Sequence, residues 1–369
     1  MRARPGEQYF AVLVSSKGDL KHHMECGYLT RSYHKMGKKR QKMMCSLCHA
    51  GDTDLDFEDC SEDPPWSRTL YSSRPWTVTP PLASVPYDTA APERVFALDL
   101  FHLHKVGLGR HLVGAAIVVL CGLGLFDTGA RRESKALPKR LGRAHSNFVL
   151  WTLAERVKPG LRSFKLAFFN IKSKQSFPWC NSKGSDTTLL TRWLRFLTRL
   201  YLQEPSNAFT QKHGAFLRLL KHEVEAALDL FHVVHSHGLW IERGCAKYLY
   251  ARLMTVLKGY KALAMTAKTM GVAGFALIPK FHAMHHVALN LALDLERGAD
   301  CVLNPLMDSC EQNEDVVGRI CRLARRLSTR TITSRVLTRH FFKKRAVMSR
   351  FVKVKGYTVR GKGRRRQKK

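Results

Sequence analysis

Val95-Phe-Ala-Leu-Asp-Leu-Phe-His-Leu-His-Lys-Val-Gly-Leu-Gly-Arg110 is the stretch on which the reading of the fold turns. Its first six residues, Val95 to Leu100, are apolar apart from one acid and read as a buried strand. The strand runs straight into a glycine-punctuated helical pattern over His102 to Leu125. Asp99 stands at the strand end. A carboxylate there can face a cleft beyond a sheet edge, where divalent ions are held when several carboxylates converge. The plainer alternative is a helix N-cap. Upstream, Tyr9 to Val14 (YFAVLV), bounded by Ser15-Ser16-Lys17-Gly18, reads as a second buried strand. Downstream, the longest apolar run is Leu112 to Phe126. A membrane span needs about 20 residues. This run is shorter and contains Gly114, Gly122 and Gly124, so it reads as a buried helix and no membrane span is expected.

Outward from this stretch the chain changes character. Residues 61–92 hold seven of the fourteen prolines, which predicts an extended, irregular connection. Leu190, Trp193, Leu194, Leu197, Leu200 and Tyr201 recur at helical spacing. Phe216 to Trp240, Cys245 to Leu263 and Phe281 to Leu295 continue the pattern, with Pro279 suited to the first turn of the last helix. The expected organisation is an N-terminal strand segment with a CxxC motif (1–60), a Pro-rich connection (61–92), an α/β core segment (93–186), a helical insertion (187–275), a C-terminal helical part with a basic arm (276–348) and a disordered basic tail (349–369). The fold class expected is α/β with a large helical addition.

Charge is the abnormal quantity. The 369 residues carry 62 Lys+Arg against 29 Asp+Glu, a net charge of +33, while a hydrophobic content of 45% excludes a chain disordered throughout. From Val316 to Lys369 there are 20 Lys+Arg and no acid; Asp52 to Asp63 holds seven acids and no base. The acidic run reads as a solvated loop. The basic run reads as a polyanion surface, with Arg319, Arg322, Arg325 and Arg326 at helical spacing and Lys343-Lys344-Arg345 beyond them. DNA is the expected partner and RNA the alternative, with a second copy of the chain as a further candidate. The terminal Arg-Arg-Arg-Gln-Lys-Lys369 reads as a nuclear address.

Ten cysteines are scattered through the chain, and no secretory signal is read at its start, so a reduced intracellular setting is expected. Cys45-Ser-Leu-Cys48 is the clearest local motif. Two thiolates two residues apart can grip a zinc ion from a tight turn. Candidates to complete the site are Cys26, His34, His49 and Cys60, and no spacing decides among them. A redox pair and two unrelated loop cysteines are the alternatives. His282, His285 and His286 share one segment and His232, His235 and His237 another; either set could hold metal, and core or nucleic-acid-facing roles are the default. Lys280, His282 and His285 are thus candidate nucleic-acid contacts. Glu311, Glu314 and Asp315 read first as acids favouring a helix dipole and second as metal-binding carboxylates beside the arm.

In order along the chain, these pieces resemble a CACTA- or Plavaka-type cut-and-paste DNA transposase. Val14-Ser-Ser-Lys-Gly-Asp-Leu-Lys21 followed by Cys45-x-x-Cys48 is similar to the family's strand, Asp and CxxC segment. Leu98-Asp-Leu-Phe-His-Leu-His-Lys-Val-Gly-Leu-Gly-Arg110 resembles its second-aspartate motif, and Ile278-Pro-Lys-Phe-His-Ala-Met-His-His286 its PK-x-H helix. The resemblance implies an RNase H-like core, interrupted by helices, with a DDE triad on Mg²⁺. Asp19 and Asp99 would be the first two carboxylates and Glu314 the third, with Glu311 as its alternative. Because the first predicted strand opens at Tyr9, it also implies a truncated or degenerate copy, active or not.

Overall fold

The computed structural model describes residues 12–13, 15–33, 43–89, 92–128, 135–173, 175–325 and 327–354. It corrects the fold class. The protein is 63% helix and 4% strand, so the expected α/β RNase H-like core is not present. Among the described residues there are two separate two-stranded sheets. β1 (Ser16–Gly18) pairs in parallel with β2 (Phe96–Leu98), and β3 (Trp240–Glu242) pairs antiparallel with β4 (Cys301–Leu303). Short apolar runs fit a strand or a buried non-strand segment equally well. Within Val95–Leu100 the strand stops because Asp99 caps the helical turn beyond it: its Oδ1 accepts from Phe101 N at 2.8 Å and its carbonyl from Leu103 N at 2.9 Å. Of the expected strand Tyr9–Val14, Val12 and Leu13 lie outside any strand, and the other four residues are outside the described set.

The helices follow the apolar stripes. After α1 (Leu20–Cys26) and β2 comes a π-helical segment, Phe101–Leu108, whose backbone departs from helical geometry at Val106 and Gly107. It continues into α2 (Gly109–Leu123), which beyond Arg110 and His111 is apolar on every side and mostly buried. Together Phe101–Leu123 is long and apolar enough to cross a membrane by length and composition, and 72% of its apolar window is buried inside the protein. Gly114 permits the closest approach to it: a Cβ there would lie 2.6 Å from the backbone nitrogen of Cys180. Around α2 pack α3 (Leu137–Ala154) and α4 (Gly184–Leu202), with Phe148, Phe164, Phe169 and Trp193 as an aromatic cluster. α5 (Ala208–Ser236) lies between α4 and α6 (Arg243–Thr269), and α6 packs on α7 (Pro279–Glu296), which has its proline in the first turn.

The chain divides into two compact units, 1–310 and 311–369. The second holds α8 (Glu311–Ala324) and α9 (Ile332–Val354) packed on one another. The division falls inside the expected 276–348 segment, and α9 runs past 348 into the expected tail. Residues 355–369 lie outside the described set.

One acid sits inside the first unit's core. Glu223 on α5 is fully buried, neither of its carboxylate oxygens has a hydrogen-bond partner, and burial raises its pKa well above the usual carboxyl value. It fits because α6 offers Gly259, where a Cβ would meet Oε2 at 2.3 Å. A raised carboxyl pKa means the folded state holds a proton that the unfolded chain releases. Stability therefore falls as pH climbs above the ordinary carboxyl range. Glu223→Gln should flatten this dependence: thermal melts at pH 5 and pH 8 should differ less in the variant than in the parent protein.

Candidate metal centre

Cys45 and Cys48 occupy a turn that aims backbone N–H groups at their own sulfurs. Leu47 N donates to Cys45 Sγ at 3.3 Å and Ala50 N to Cys48 Sγ at 3.4 Å. Such donors favour the thiolate. Behind the turn Arg31 is buried, and its guanidinium donates to the carbonyls of Cys45 (3.2 Å), Ser46 (3.3 Å) and Ser73 (2.8 Å). A rigid five-donor fork suits that task in a way a lysine does not. Leu47, Ala50 and Trp66 close a small apolar cluster over the two cysteines.

The other half of the centre comes from α7. His282 and His286 are four residues apart on one helix face and both are fully buried. Cys45 Sγ lies 3.2 Å from His286 Nε2, Cys48 Sγ lies 3.3 Å from His282 Nε2 and 3.5 Å from His286 Nε2, and the two Nε2 atoms are 2.9 Å apart. All four ligand atoms fall within 4.8 Å of one another. Around a tetrahedral ion with bonds of about 2.3 Å to sulfur and about 2.0 Å to nitrogen, such contacts fall at about 3.3–3.6 Å. The observed set has that shape, slightly contracted, so these four residues could hold a metal ion. Trp66 walls the site, its ring centred 4.4 Å from His282 and 5.0 Å from His286. Burial pushes the Cys45 thiol up, but hydrogen bonding from Cys48 and the two imidazoles override this and hold it well below its ordinary value. Burial and the neighbouring Cys45 sulfur push Cys48 the other way. Two thiols in one dry pocket resist double ionisation unless a cation joins them.

The other expected ligands are elsewhere. Cys26 is half-buried with its sulfur 3.9 Å from the His23 carbonyl, and Cys60 is buried, where burial raises its thiol pKa. Neither belongs to the four-residue cluster, a correction to the expected set. His49 faces Ser73 Oγ at 2.7 Å and Arg31 Nη1 at 3.3 Å; His34 lies outside the described residues. The part that sequence reasoning missed is the pairing of the cysteine turn with His282 and His286. A signal for it exists, since two histidines four apart on a helix have a common zinc-ligand spacing. His282 and His285 are buried, at 0% and 3% exposure, and so are closed to a nucleic acid, against the contact role expected of them.

The expected acids separate into two groups. In β1 and β2, Gly18 is in register with Leu98, so Asp19 and Asp99 leave adjacent parallel strands side by side. Asp99 is buried, with His102 Nδ1 2.5 Å from its Oδ2. Burial raises its pKa, but the His102 hydrogen bond prevails and holds the carboxyl below its usual value. Asp19 caps α1, accepting from His22 N at 2.7 Å. A third carboxylate of this unit, Asp308, has its pKa raised by burial and, to a lesser degree, by Asp99, and it accepts from Ser15 Oγ at 3.2 Å. Glu311 and Glu314 belong to the second unit, in the first turn of α8, with Glu314 exposed. In that unit Arg319, Arg322, Arg325, Lys343, Lys344 and Arg345 are all exposed. Arg319, Arg322, Lys343 and Lys344, with His340, Leu323 and Val347, line a groove of about 480 Å³. Arg326 lies outside the described residues.

Compared with protein-family models, with curated proteins and with solved structures, the chain finds no match.

Removal of one ligand should empty the centre. Cys48→Ser and His286→Ala should each abolish stoichiometric metal in elemental analysis of the purified protein and destabilise it by several kcal/mol, roughly the scale of a structural metal site. Cys26→Ser and Cys60→Ser should retain the metal.

Proposed function

We propose that this chain is a nucleic-acid-binding protein whose first unit is stapled by one structural zinc ion and whose second unit grips the phosphate backbone, DNA being the partner and RNA the competitor. The observation that carries the binding role is the groove lined by Arg319, Arg322, Lys343 and Lys344. It lies in a unit with 20 Lys+Arg against three acids. Of its four cations, Arg319 alone has a carboxylate partner among the described residues of the unit, Asp315 at 2.5 Å. Exposed cations on helices repel one another unless a polyanion lies across them, and the counterions released on contact drive binding. Zinc is the reading of the metal because two thiolates and two imidazoles suit it, and a closed four-ligand set marks a structural site with no open position for a substrate. Here the zinc would tie the cysteine turn to α7 and take no part in chemistry.

A second reading, Mg²⁺-dependent phosphoryl transfer of the transposase kind, is favoured by one observation. Asp19 and Asp99 leave adjacent parallel strands in register. In that reading Asp19 and Asp99 are the carboxylates that the first unit would offer to Mg²⁺, which would supply activation of the attacking oxygen.

Binding to a DNA duplex, followed by fluorescence anisotropy, should weaken steeply as salt rises. Neutralising Arg319, Arg322, Lys343 and Lys344 to Gln together should reduce the log–log salt slope by about 3 to 4; an unchanged slope rejects the groove as the contact. For the second reading, Asp99→Asn should abolish Mg²⁺-dependent nicking with duplex affinity nearly unchanged. Nicking that survives the substitution, or a parent protein that never nicks, removes the catalytic role.

A further inference from the structure

A cavity of about 210 Å³ opens in the first unit between β2, α7 and the segment after β4, and it is part of neither the metal centre nor the pair of strand-end acids. One part of its lining is apolar and buried: Leu47 from the cysteine turn, Phe96 from β2, and Val287 and Leu291 from α7. The other part is polar and half-buried, with Tyr71, Arg94, Asn290 and Asp294 in one portion of the wall and Asp308 as a further acid. Apolar walls with a few placed polar groups are the ordinary make-up of a small-molecule site.

The polar groups hold one another loosely. Tyr71 Oη donates to Asn290 Oδ1 at 3.5 Å, the outer limit of a hydrogen bond. Arg94 Nη2 lies 3.8 Å from Asp294 Oδ1, and its guanidinium is 6.0 Å from the centre of the Tyr71 ring. Asn290 and Asp294 stand one turn apart on α7 and so share the face that lines the cavity. Among the described residues, Asn290 Nδ2 donates to no acceptor, and Asp308 accepts from Ser15 Oγ at 3.2 Å and has no ion-pair partner. An amide donor and a carboxylate oxygen are thus left over in a half-apolar cavity, where an unmatched polar group is costly.

Size and charge narrow the occupant. A cavity of about 150 Å³ takes a benzene ring, so this one has room for a two-ring heterocycle, while it falls short of the roughly 300 Å³ at which pockets for drug-sized ligands begin. Two carboxylates against one guanidinium in the lining disfavour a phosphate or any other anion inside it. They favour a neutral ring that carries N–H donors. An asparagine amide offers an acceptor and a donor side by side, which is the pattern that pairs with the exocyclic amine and ring nitrogen of adenine.

We propose that this cavity binds an amino-bearing purine base, adenine by its hydrogen-bonding edge, with Asn290 reading that edge and the apolar lining taking the ring. The base would come either from a free nucleoside or from a nucleic-acid strand with one base turned out of its stack. The strand source rests on the nucleic-acid reading above; the pocket itself does not. Its role would differ from that of the α8–α9 groove, since it would take a base and not a phosphate.

The test uses the full, zinc-loaded chain and adenosine, followed by calorimetry. Adenosine should titrate saturably at one site per chain. Purine riboside, the same ring without the exocyclic amine, should bind at least about tenfold more weakly, the scale of one lost base-edge pairing. Asn290→Ala should weaken adenosine by a similar factor and remove the preference over purine riboside. Leu303→Trp, a substitution at a half-exposed position of the lining, should block adenosine by filling the cavity. Zinc content and far-ultraviolet circular dichroism, unchanged in both variants, verify that the fold survives. In a second arm, a single strand of oligodeoxyadenylate is compared with an abasic strand of equal length by fluorescence anisotropy. Asn290→Ala weakening the first strand alone identifies the strand as the source of the base; equal binding of both strands by parent and variant identifies the free nucleoside. No saturable adenosine binding, equal binding of adenosine and purine riboside, or adenosine binding untouched by both substitutions overturns the pocket whatever the strands do. Saturable, amine-dependent adenosine binding by a protein that binds no nucleic acid upholds the pocket and overturns the nucleic-acid reading alone.

Discussion

Four ligand atoms brought to one point are the constraint on which the first unit depends. Cys48 and His282 are separated by 234 residues and Cys45 and His286 by 241. The segment that carries the cysteines has little regular structure of its own, and the cluster around its turn is small: Leu47, Ala50 and Trp66 beside the cysteines. A core of that size does not hold an irregular segment in place unaided. A site with thiolate and imidazole donors can, because metal-binding free energy becomes folding free energy when the unfolded chain lacks a formed site. Closing so long a loop costs only slowly more with length, so the separation in sequence is no obstacle once the helices between are packed.

Helix α7 distributes the polar chemistry of the unit. Lys280 in its first turn reaches Gly107 and the start of α2. One turn on, His282 and His286 face the cysteine turn, and His285 packs edge-on to Trp66 at 4.9 Å. Further along, Asn290 and Asp294 line a cavity of about 210 Å³ shared with β2 and with Tyr71 and Arg94. A helix turns about 100° per residue, so successive residues address different neighbours, and spacing by three or four returns to the same one. The packing of α7 against α6 and the π-helical segment therefore sets at once the metal ligands and the cation beside Asp19 and Asp99.

The two units handle charge in opposite ways. In the first, several ionisable groups are buried and settled individually: Arg31 on carbonyls, Asp99 on His102, Glu223 by the raised pKa that favours its protonated form. In the second, the arginines and lysines of α8 and of α9 up to Arg350 lie in water, with a single residue of α9, Val336, buried among those described. The first pattern specifies a fold, since each buried polar group has to be satisfied or neutralised. The second specifies an electrostatic field and little else.

What the sequence determined by itself was periodic or compositional. The helix faces through Leu190 and Trp193, the proline at the head of α7, the cysteine turn and the concentration of positive charge after Val316 are local features, each legible over a few residues. The adjacency of Asp19 and Asp99 was legible only as a resemblance. The strands were over-read, because a six-residue apolar run does not reveal whether a pairing partner exists, and Asp99 ended β2 by capping the next turn. Tertiary structure alone decided which residues completed the site. Cys26, Cys60 and His49 lie close to the cysteine turn in sequence, yet His282 and His286 meet it, because ligand choice depends on which helix face the packed core turns toward the thiols. Distance along the chain carries no information about that.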